Sequence, residues 1–344
     1  MSRRSLTLLI ASVGTAVAIA VSVLVPVPYV ILGPGPTLNT LGKDSSGQPL
    51  ITISGRASYP TSGHLNMVTV GYQGCQGDHF NIFKALVAWL NPQKAVVPES
   101  EICPAGQTQQ QTHQQDTQEM TSSQQTAIVA ALNELHIAYS TLVVVVQTEK
   151  GFPADGVLKA GDVITAVDGK PVASQTGLTS LIHAHPAGST LSLSITRNGQ
   201  PMQVQVGTRA SGGHPVMGVK IEQQYKFPFT VKISVGNIGG PSAGLMFALG
   251  IIDKLTSDNL TGGTFIAGTG EIEAGGKVDP IGGIQQKMVG ARNAGATIFL
   301  TPASNCVDTK GAVPAGLRLV KVSTLTQAVT YLEDLRSGQP VPSC

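Results

Sequence analysis

The chain has 344 residues, of which 42% are hydrophobic and only 12% are charged, and its formal net charge is +2. This length allows about two domains with a sizeable core. Because charge is sparse and no Lys/Arg cluster follows Arg4, the composition argues against nucleic acid as a partner.

An uncharged apolar segment, Ser5 to Val27, follows Arg3 and Arg4 near the start of the chain. It is long enough to cross a bilayer as one helix. Since positive charge tends to stay in the cytoplasm, we predict a single-pass anchor over residues 1–32, with the N-terminus cytoplasmic and the later residues extracytoplasmic. A cleaved signal peptide is the alternative, although no small-x-small cleavage site ends the segment.

Four cysteines lie in a chain that we assign to an oxidising compartment. They are Cys75, Cys103, Cys306 and Cys344. None of the cysteines has the C-x-x-C spacing that is typical of a metal site. We expect no metal and no cofactor. Proximity along the sequence makes Cys75–Cys103 and Cys306–Cys344 plausible disulfides, and buried free thiols are the alternative.

The segment before residue 139 alternates predicted strands and helices. Leu50 to Ile53 and Leu65 to Val70 have the pattern of strands, and His79 to Leu90 has that of an amphipathic helix. Gln and Thr crowd residues 107–125, which we interpret as a solvated loop. A helix is predicted to begin near Thr121.

A small separate unit is predicted over residues 139–210. The β-branched run Leu142 to Gln147 predicts a strand, and Asn198-Gly199 is a strong hairpin signal. A helix is predicted from the spacing of Leu178, Leu181 and Ile182.

Two motifs in this unit are Gly156-Val157-Leu158-Lys159-Ala160-Gly161-Asp162-Val163-Ile164 and Val167-Asp168-Gly169-Lys170-Pro171-Val172. With these motifs, the unit resembles the PDZ domains that accompany bacterial proteases. It implies that an extended peptide binds by adding to a sheet edge. The usual glycine-rich carboxylate-binding loop is not evident, which leaves recognition of C-terminal carboxylates open.

A glycine-rich turn follows the predicted strand Thr230 to Val235. Its sequence is Gly239-Gly240-Pro241-Ser242-Ala243-Gly244, and helical spacing continues in Leu245, Met246, Leu249 and Ile252. We therefore predict a strand-to-helix turn with Ser242 at the helix N-terminus, either as an N-cap or as a nucleophile. A phosphate-binding loop is a further alternative, but neither metal-ligating carboxylates nor a phosphate-contacting lysine accompanies the turn.

The base for such a nucleophile is predicted to be a lysine. Gly240 to Gly244 fits the G-x-S-x-G pattern of α/β-hydrolases, in which a histidine follows the serine, but all seven histidines precede Ser242. Lys254 shares the serine's helix and lies about 18 Å along it. Lys287 falls instead in an apolar stripe with Ile284, Met288 and Ala291. Burial there would lower its pKa, whereas a lysine at the stripe edge would extend to solvent.

Three motifs together resemble the proteolytic domain of Lon-type peptidases in order and spacing. They are Gly240-Pro241-Ser242-Ala243-Gly244, Thr269-Gly270-Glu271-Ile272 and Pro280-Ile281-Gly282-Gly283-Ile284-Gln285-Gln286-Lys287. The family uses a Ser-Lys dyad, so the resemblance implies Ser242 as nucleophile, Lys287 as general base and Thr269 as a hydroxyl that positions the amine. Gly240, Pro241 and Ala243 would form the turn and the oxyanion site. Many Lon enzymes have an aspartate three residues before the serine, where this chain has Gly239.

The predicted architecture is an α+β Lon-type proteolytic domain, residues 33–138 and 211–344, interrupted by a PDZ domain. We expect a membrane-anchored serine endopeptidase that cleaves extracytoplasmic polypeptides without ATP, because Gly275-Gly276-Lys277-Val278 lacks the spacing and the hydroxyl of a nucleotide-binding loop. The resemblance also implies a homo-oligomeric ring. The alternative is a catalytically inactive, membrane-anchored PDZ scaffold or peptide-binding protein.

Overall fold

The computed structural model describes residues 3–44, 46–75, 80–103 and 106–344. The chain folds into two compact units. The larger unit is formed by residues 1–137 and 229–344, and the inserted unit by residues 138–228. The larger unit is therefore built from two separate stretches of sequence.

The helices and strands follow one another along the chain in three groups. The first segment of the larger unit contains α1 (Arg3–Leu24), β1 (Pro26–Val27), β2 (Tyr29–Asn39), β3 (Ile51–Ser54), β4 (His64–Gln73), β5 (Phe80–Asn81), α2 (Ile82–Trp89), β6 (Ala95–Pro98), α3 (Glu99–Ile102) and α4 (Gln109–Glu134). The inserted unit contains β7 (Ser140–Thr148), β8 (Val163–Val167), β9 (Lys170–Pro171), α5 (Gln175–His183), β10 (Thr190–Arg197), β11 (Gln200–Gly207), β12 (Arg209–Ser211), β13 (His214–Val216) and β14 (Val219–Lys226). The second segment of the larger unit contains β15 (Thr230–Ile233), α6 (Gly244–Leu255), β16 (Phe265–Gly268), β17 (Glu271–Ile272), β18 (Val278–Asp279), α7 (Ile284–Asn293), β19 (Ile298–Pro302), a 3-10 helix (Ala303–Thr309), β20 (Arg318–Val322) and α8 (Leu325–Arg336).

The larger unit is organised on a mixed sheet with the strand order β20-β19-β16-β4-β2-β6. The strands from β20 to β4 run parallel, whereas β2 pairs antiparallel with both β4 and β6. Ala267 and Phe299 pack against α7, while an added Cβ on the next residue, Gly268, would meet Met246 of α6. Since successive strand residues point to opposite faces, α6 and α7 cover opposite faces of the sheet. This arrangement confirms the predicted α+β class.

Helix α4 corrects the prediction of a solvated loop over residues 107–125. It is a continuous helix from Gln109 to Glu134, and it begins with a capping box. Thr108 Oγ1 accepts a hydrogen bond from Gln111 N at 3.3 Å, and Gln111 Oε1 accepts one from Thr108 N at 2.9 Å. Glutamine is a good helix former, and most side chains of the first half are exposed, so this half needs no apolar stripe. A segment crowded with Gln and Thr therefore does not by itself indicate a loop.

The inserted unit contains a sheet with the strand order β11-β10-β8-β7-β14. The hairpin predicted at Asn198-Gly199 joins β10 to β11, and both turn residues have positive φ, 51° and 79°. Residues from 211 onward are predicted to belong to the Lon-type domain, but β14 pairs with β7 and so belongs to the inserted unit. This unit therefore extends to Pro228, past the predicted boundary at residue 210.

The larger unit also contains two disulfide bonds and the helices α1 and α2. Cys75–Cys103 and Cys306–Cys344 are disulfide bonded, so the free-thiol alternative is excluded. Helix α1 is exposed along its length and is long and apolar enough to cross a membrane. Helix α2 lies within the segment that is predicted to be an amphipathic helix, but its exposed side is apolar rather than polar. His79, the first residue of that segment, lies outside the described residues.

Candidate active site

The glycine-rich turn places Ser242 ahead of helix α6 rather than at its cap. The helix begins at Gly244 and its N-cap is Ala243, so the prediction of Ser242 as an N-cap is wrong. Two hydrogen bonds join the turn to one helix: Ser123 Oγ donates to Pro241 O at 2.8 Å, and Gly240 N donates to Asp116 O at 3.0 Å. Both partners come from α4. The serine hydroxyl is therefore not used by its own helix.

Lys287 lies in the first turn of α7, on the face directed into the protein. Ile284, Met288 and Ala291 are buried beside it, and only 4% of Lys287 is exposed, so the side chain does not extend to solvent. The helix is preceded by Gly283 with a φ of 66°. An added Cβ at Gly283 would lie 2.7 Å from Val70 Cγ2. Glycine thus permits both the turn and the close approach of α7 to β4.

The side chains of the three predicted chemical residues meet in one place. Lys287 Nζ donates to Ser242 Oγ at 2.7 Å and to Thr269 Oγ1 at 3.1 Å. Thr269 follows β16 and is fully buried, and its hydroxyl donates to Ser242 O at 2.9 Å. Because the threonine proton points to that carbonyl, Thr269 Oγ1 accepts from the amine, which fixes the direction of Lys287 Nζ toward Ser242.

The amine of Lys287 is desolvated without a compensating carboxylate. Burial lowers the pKa of Lys287 from 10.5 to about 7. No ion pair to Lys287 occurs among the described residues. A substantial fraction of the amine is therefore neutral at physiological pH, and the neutral amine has a lone pair that accepts the proton of a hydroxyl in hydrogen-bond contact.

The turn residues differ in what their backbone can donate. The N–H of Gly240 is already bonded to Asp116 O, and Pro241 has no N–H. The N–H groups of Ser242 and Ala243 have no partner within the described part of the chain. Gly240 and Pro241 therefore offer no free backbone donor in the turn, whereas the N–H groups of Ser242 and Ala243 remain available to an acceptor.

A cavity of about 430 Å³ adjoins this cluster, with Ser242 and Lys287 in its wall. Helix α4 contributes His113, Asp116 and Met120 to its lining, none of which the sequence analysis identified. Burial, with the nearby Glu119, raises the pKa of Asp116. The T-x-x-Q capping box at Thr108 was the signal that could have revealed this helix.

Asp116 of α4 packs against Gly239, the residue that this chain has where many Lon enzymes have an aspartate. An added Cβ at Gly239 would lie 2.5 Å from Asp116 Cβ, closer than two non-bonded carbon atoms approach. The carboxylate on this side of the cavity thus comes from α4 rather than from the serine turn. Gly239 is required by this packing.

Comparisons with known proteins agree with these features. A family model described as PDZ domain matches residues 116–208, and one described as Lon protease (S16) C-terminal proteolytic domain matches residues 218–332. The chain combines a PDZ domain with a Lon-type proteolytic domain. Both resemblances drawn from the motifs are therefore confirmed.

Curated relatives of this Lon-type, PDZ-containing chain are much longer proteins. The Lon protease of Neorickettsia sennetsu is 35% identical over 30% of this chain and 12% of its own length. Lon protease 2 of Herpetosiphon aurantiacus is 32% identical over 46% of this chain and 18% of its own length. The solved PDZ domain of the SdrC-like protein from Listeria monocytogenes is 28% identical, covers 23% of this chain and 85% of its own, and has a TM-score of 0.22. The matches to the Lon proteases support a serine peptidase.

Proposed function

We propose that this protein is a serine endopeptidase in which Ser242 is the nucleophile and Lys287 the general base. The observation that carries the proposal is the 2.7 Å contact between Lys287 Nζ and Ser242 Oγ. It is supported by the lowered pKa of the buried amine, about 7, and by the match to a Lon proteolytic domain. A nucleophile and a base within hydrogen-bond distance are the geometric requirement for acyl transfer.

In the first step, neutral Lys287 Nζ accepts the hydroxyl proton while Ser242 Oγ bonds to the substrate carbonyl carbon. The resulting oxyanion is stabilised by the N–H groups of Ser242 and Ala243. The ammonium of Lys287 then gives its proton to the amide nitrogen as the C–N bond breaks, which leaves an acyl-enzyme. Water attacks the ester with Lys287 as base, and the serine is released with a carboxylic acid product.

Thr269 is proposed as a positioning residue in this mechanism. Its hydroxyl occupies one amine hydrogen of Lys287, and it also bonds Ser242 O, which Gly270 N contacts at 2.8 Å. Both ends of the dyad are therefore attached to the same short segment after β16. These hydrogen bonds limit the rotation of the Lys287 side chain and keep its amine group directed toward Ser242.

Substrate binding is proposed to involve the PDZ domain. Helix α5 and strand β14 border a cavity of about 620 Å³, which Leu178, Ile182 and Val219 help to line. Strand β14 is at the end of its sheet, so an extended polypeptide can add to its free edge. We propose that the substrates are unfolded or extended polypeptides and that their cleavage does not require ATP. We also propose that identical chains assemble into a ring.

Helix α1 is proposed to anchor the enzyme in the membrane, with the N-terminus in the cytoplasm. Its length of 22 residues corresponds to about 33 Å, which matches the hydrocarbon core. Arg3 and Arg4 at its start favour the cytoplasmic side. Protease added outside intact cells should then digest the PDZ domain, and digestion only after lysis would reverse the orientation.

The proposed activity is tested with the full-length chain in detergent, an unfolded protein substrate and no nucleotide. We expect peptide-bond cleavage, and we expect Ser242→Ala to abolish it while leaving the circular dichroism spectrum unchanged. Ser257→Ala, an exposed serine beyond α6, is the matched control and should remain active. Binding of the substrate without cleavage by the wild type would instead favour the inactive scaffold.

A further inference from the structure

Helix α2 presents large apolar side chains to solvent around most of its circumference. One side, with Ala85 and Ala88, packs on Ile31, Phe80 and Val96. The exposed apolar residues, here called the apolar face of α2, are Ile82, Phe83, Leu86, Val87, Trp89 and Leu90. Trp89 and Leu90 are 68% and 67% exposed. A surface helix of a soluble protein is normally polar on the side away from the core, so this face indicates an apolar surrounding.

The apolar face of α2 begins at the end of the membrane-spanning candidate α1. Asn81, the N-cap of α2, donates from Nδ2 to Val23 O at 2.8 Å in the last turn of α1. The strand after α1 also pairs with the strand before α2, with Pro26 opposite Asn81 and Val27 opposite Phe80. If α1 spans the bilayer, these contacts fix α2 at the level where α1 leaves it.

The composition of α2 fits a lipid surface. It contains no acidic residue, and Lys84 is its single charged residue. Aromatic side chains such as Phe83 and Trp89 are favoured at the boundary between headgroups and acyl chains. Lys84 and, shortly after the helix, Lys94 are suited to phosphate groups, because their ammonium groups reach headgroups while their stems stay apolar.

We propose that α2 lies along the outer surface of the bilayer, with its apolar face at the headgroup–acyl boundary, as a second membrane contact. The proposal rests on the proposed anchoring by α1. Two contacts restrict rotation of the larger unit about α1, which one helix alone does not. Strand β2 packs on α2 and pairs with β4 in the wall of the active-site cavity, so the active site is held at a fixed height above the membrane.

Trp89 is the only tryptophan of the chain, so its fluorescence tests the proposal directly. Full-length protein is reconstituted in vesicles of phosphatidylcholine and phosphatidylglycerol, and flotation first verifies that the chain is anchored. We expect blue-shifted Trp89 emission, protection from iodide, and stronger quenching by lipids brominated near the headgroup end of the acyl chain than by those brominated near the methyl end.

Each other outcome overturns the proposal for a different reason. Floating protein with iodide-accessible Trp89 places α2 in water, and blue-shifted emission without quenching by brominated lipid indicates a second copy or another protein on this face. If the protein does not float with the vesicles, α1 does not anchor it, and the proposal for α2 fails as well. Peptide cleavage in detergent is measured separately, so a failed catalytic proposal is recognised independently.

A pair of variants links the signal to the apolar face. Leu86→Glu combined with Val87→Glu should abolish quenching by brominated lipid while flotation through α1 continues. Val307→Glu changes a valine that is 64% exposed on the 3-10 helix and should leave quenching unchanged. Equal quenching in all three proteins would contradict the assignment of α2 to the membrane surface.

Discussion

Lys287 Nζ lies 2.7 Å from Ser242 Oγ across a sequence separation of 45 residues. The serine precedes α6 and the lysine lies on α7, and these helices cover opposite faces of one sheet. Their meeting point is the end of β16, where Thr269 contacts both residues. The contact between Ser242 and Lys287 therefore depends on the packing of three elements, so the proposed dyad can be disturbed without altering either of its residues.

Activity should rise with pH through an apparent pKa near 7. Below that pH the amine of Lys287 is protonated and has no lone pair, and above it the neutral amine accepts the serine proton. The pH dependence of kcat/KM for a short peptide measures this value. An apparent pKa near 10.5, as for a solvated lysine, would contradict the desolvation of Lys287.

Replacing Lys287 by arginine tests whether cleavage requires the positive charge or the transfer of a proton. Lys287→Arg keeps the positive charge, but a guanidinium is not deprotonated in proteins, so we expect loss of cleavage at every pH between about 5 and 10. Lys277→Arg is the control, since Lys277 is exposed and pairs with Glu273 and Asp279. Normal turnover by Lys287→Arg would require a different base.

Thr269→Val should lower kcat about tenfold, because loss of one hydrogen bond of roughly 1–1.5 kcal/mol in the transition state has that effect. The variant also removes an acceptor for the amine of Lys287, which stabilises the ammonium more than the neutral amine. The apparent pKa should therefore fall further. Thr269→Ser retains the hydroxyl and should restore both kcat and the pH profile. A lower kcat with an unchanged pH profile would indicate a structural role alone.

The proximity of Ser242 and Lys287 could be predicted from sequence, whereas the surroundings of these two residues could not. Ser242 and Lys287 lie in local motifs whose glycines and apolar spacing describe the two helix starts, so short stretches of sequence contain the signal. Helix α4 lacked that signal, because Gln and Thr residues on an exposed helix show no apolar period. The approach of Asp116 to Gly239 depends on how α4 packs on the serine turn, and no local pattern encodes a contact between such distant segments.

Gly239→Ala should impair both stability and activity. The added Cβ would lie 2.5 Å from Asp116 Cβ, so α4 or the serine turn must move, and overpacking of this kind costs about 1–3 kcal/mol. The displaced turn also carries Ser242 away from Lys287. Denaturant unfolding and kcat measure the two effects.

Removal of the opposing side chain should rescue this variant. Asp116→Gly in the Gly239→Ala background makes space for the new methyl group, although glycine in a helix itself costs about 1 kcal/mol. We expect kcat to recover. Gly275→Ala is the control, since an added Cβ there meets no atom within 4 Å. Independent, additive effects of the two substitutions would show that the contact does not limit activity.

The PDZ domain should depend on an ion pair between Arg197, at the end of β10, and the buried Asp162, which directly precedes β8. Arg197 donates from Nε and Nη2 to the two carboxylate oxygens of Asp162, both at 2.7 Å, and only 1% of the Asp162 side chain is exposed. Burial alone would raise the pKa of Asp162, but hydrogen bonds from Arg197 and from Lys159 N outweigh it and hold the pKa below 3.8.

A carboxyl group whose pKa is lower in the folded state stabilises the fold above its unfolded-state pKa, and this contribution is lost as pH falls through the folded-state pKa. Arg197→Met leaves Asp162 buried without its cation, so the inserted unit should be strongly destabilised at pH 7. The difference from wild type should shrink as pH falls through the lowered folded-state pKa of Asp162, because the protonated carboxyl group no longer needs the cation. Lys170→Met, at an exposed position on β9, should unfold like the wild type at both pH values. Denaturant titrations at pH 7 and at acid pH measure this, and an equal loss of stability at both would mean that Arg197 acts through packing rather than charge.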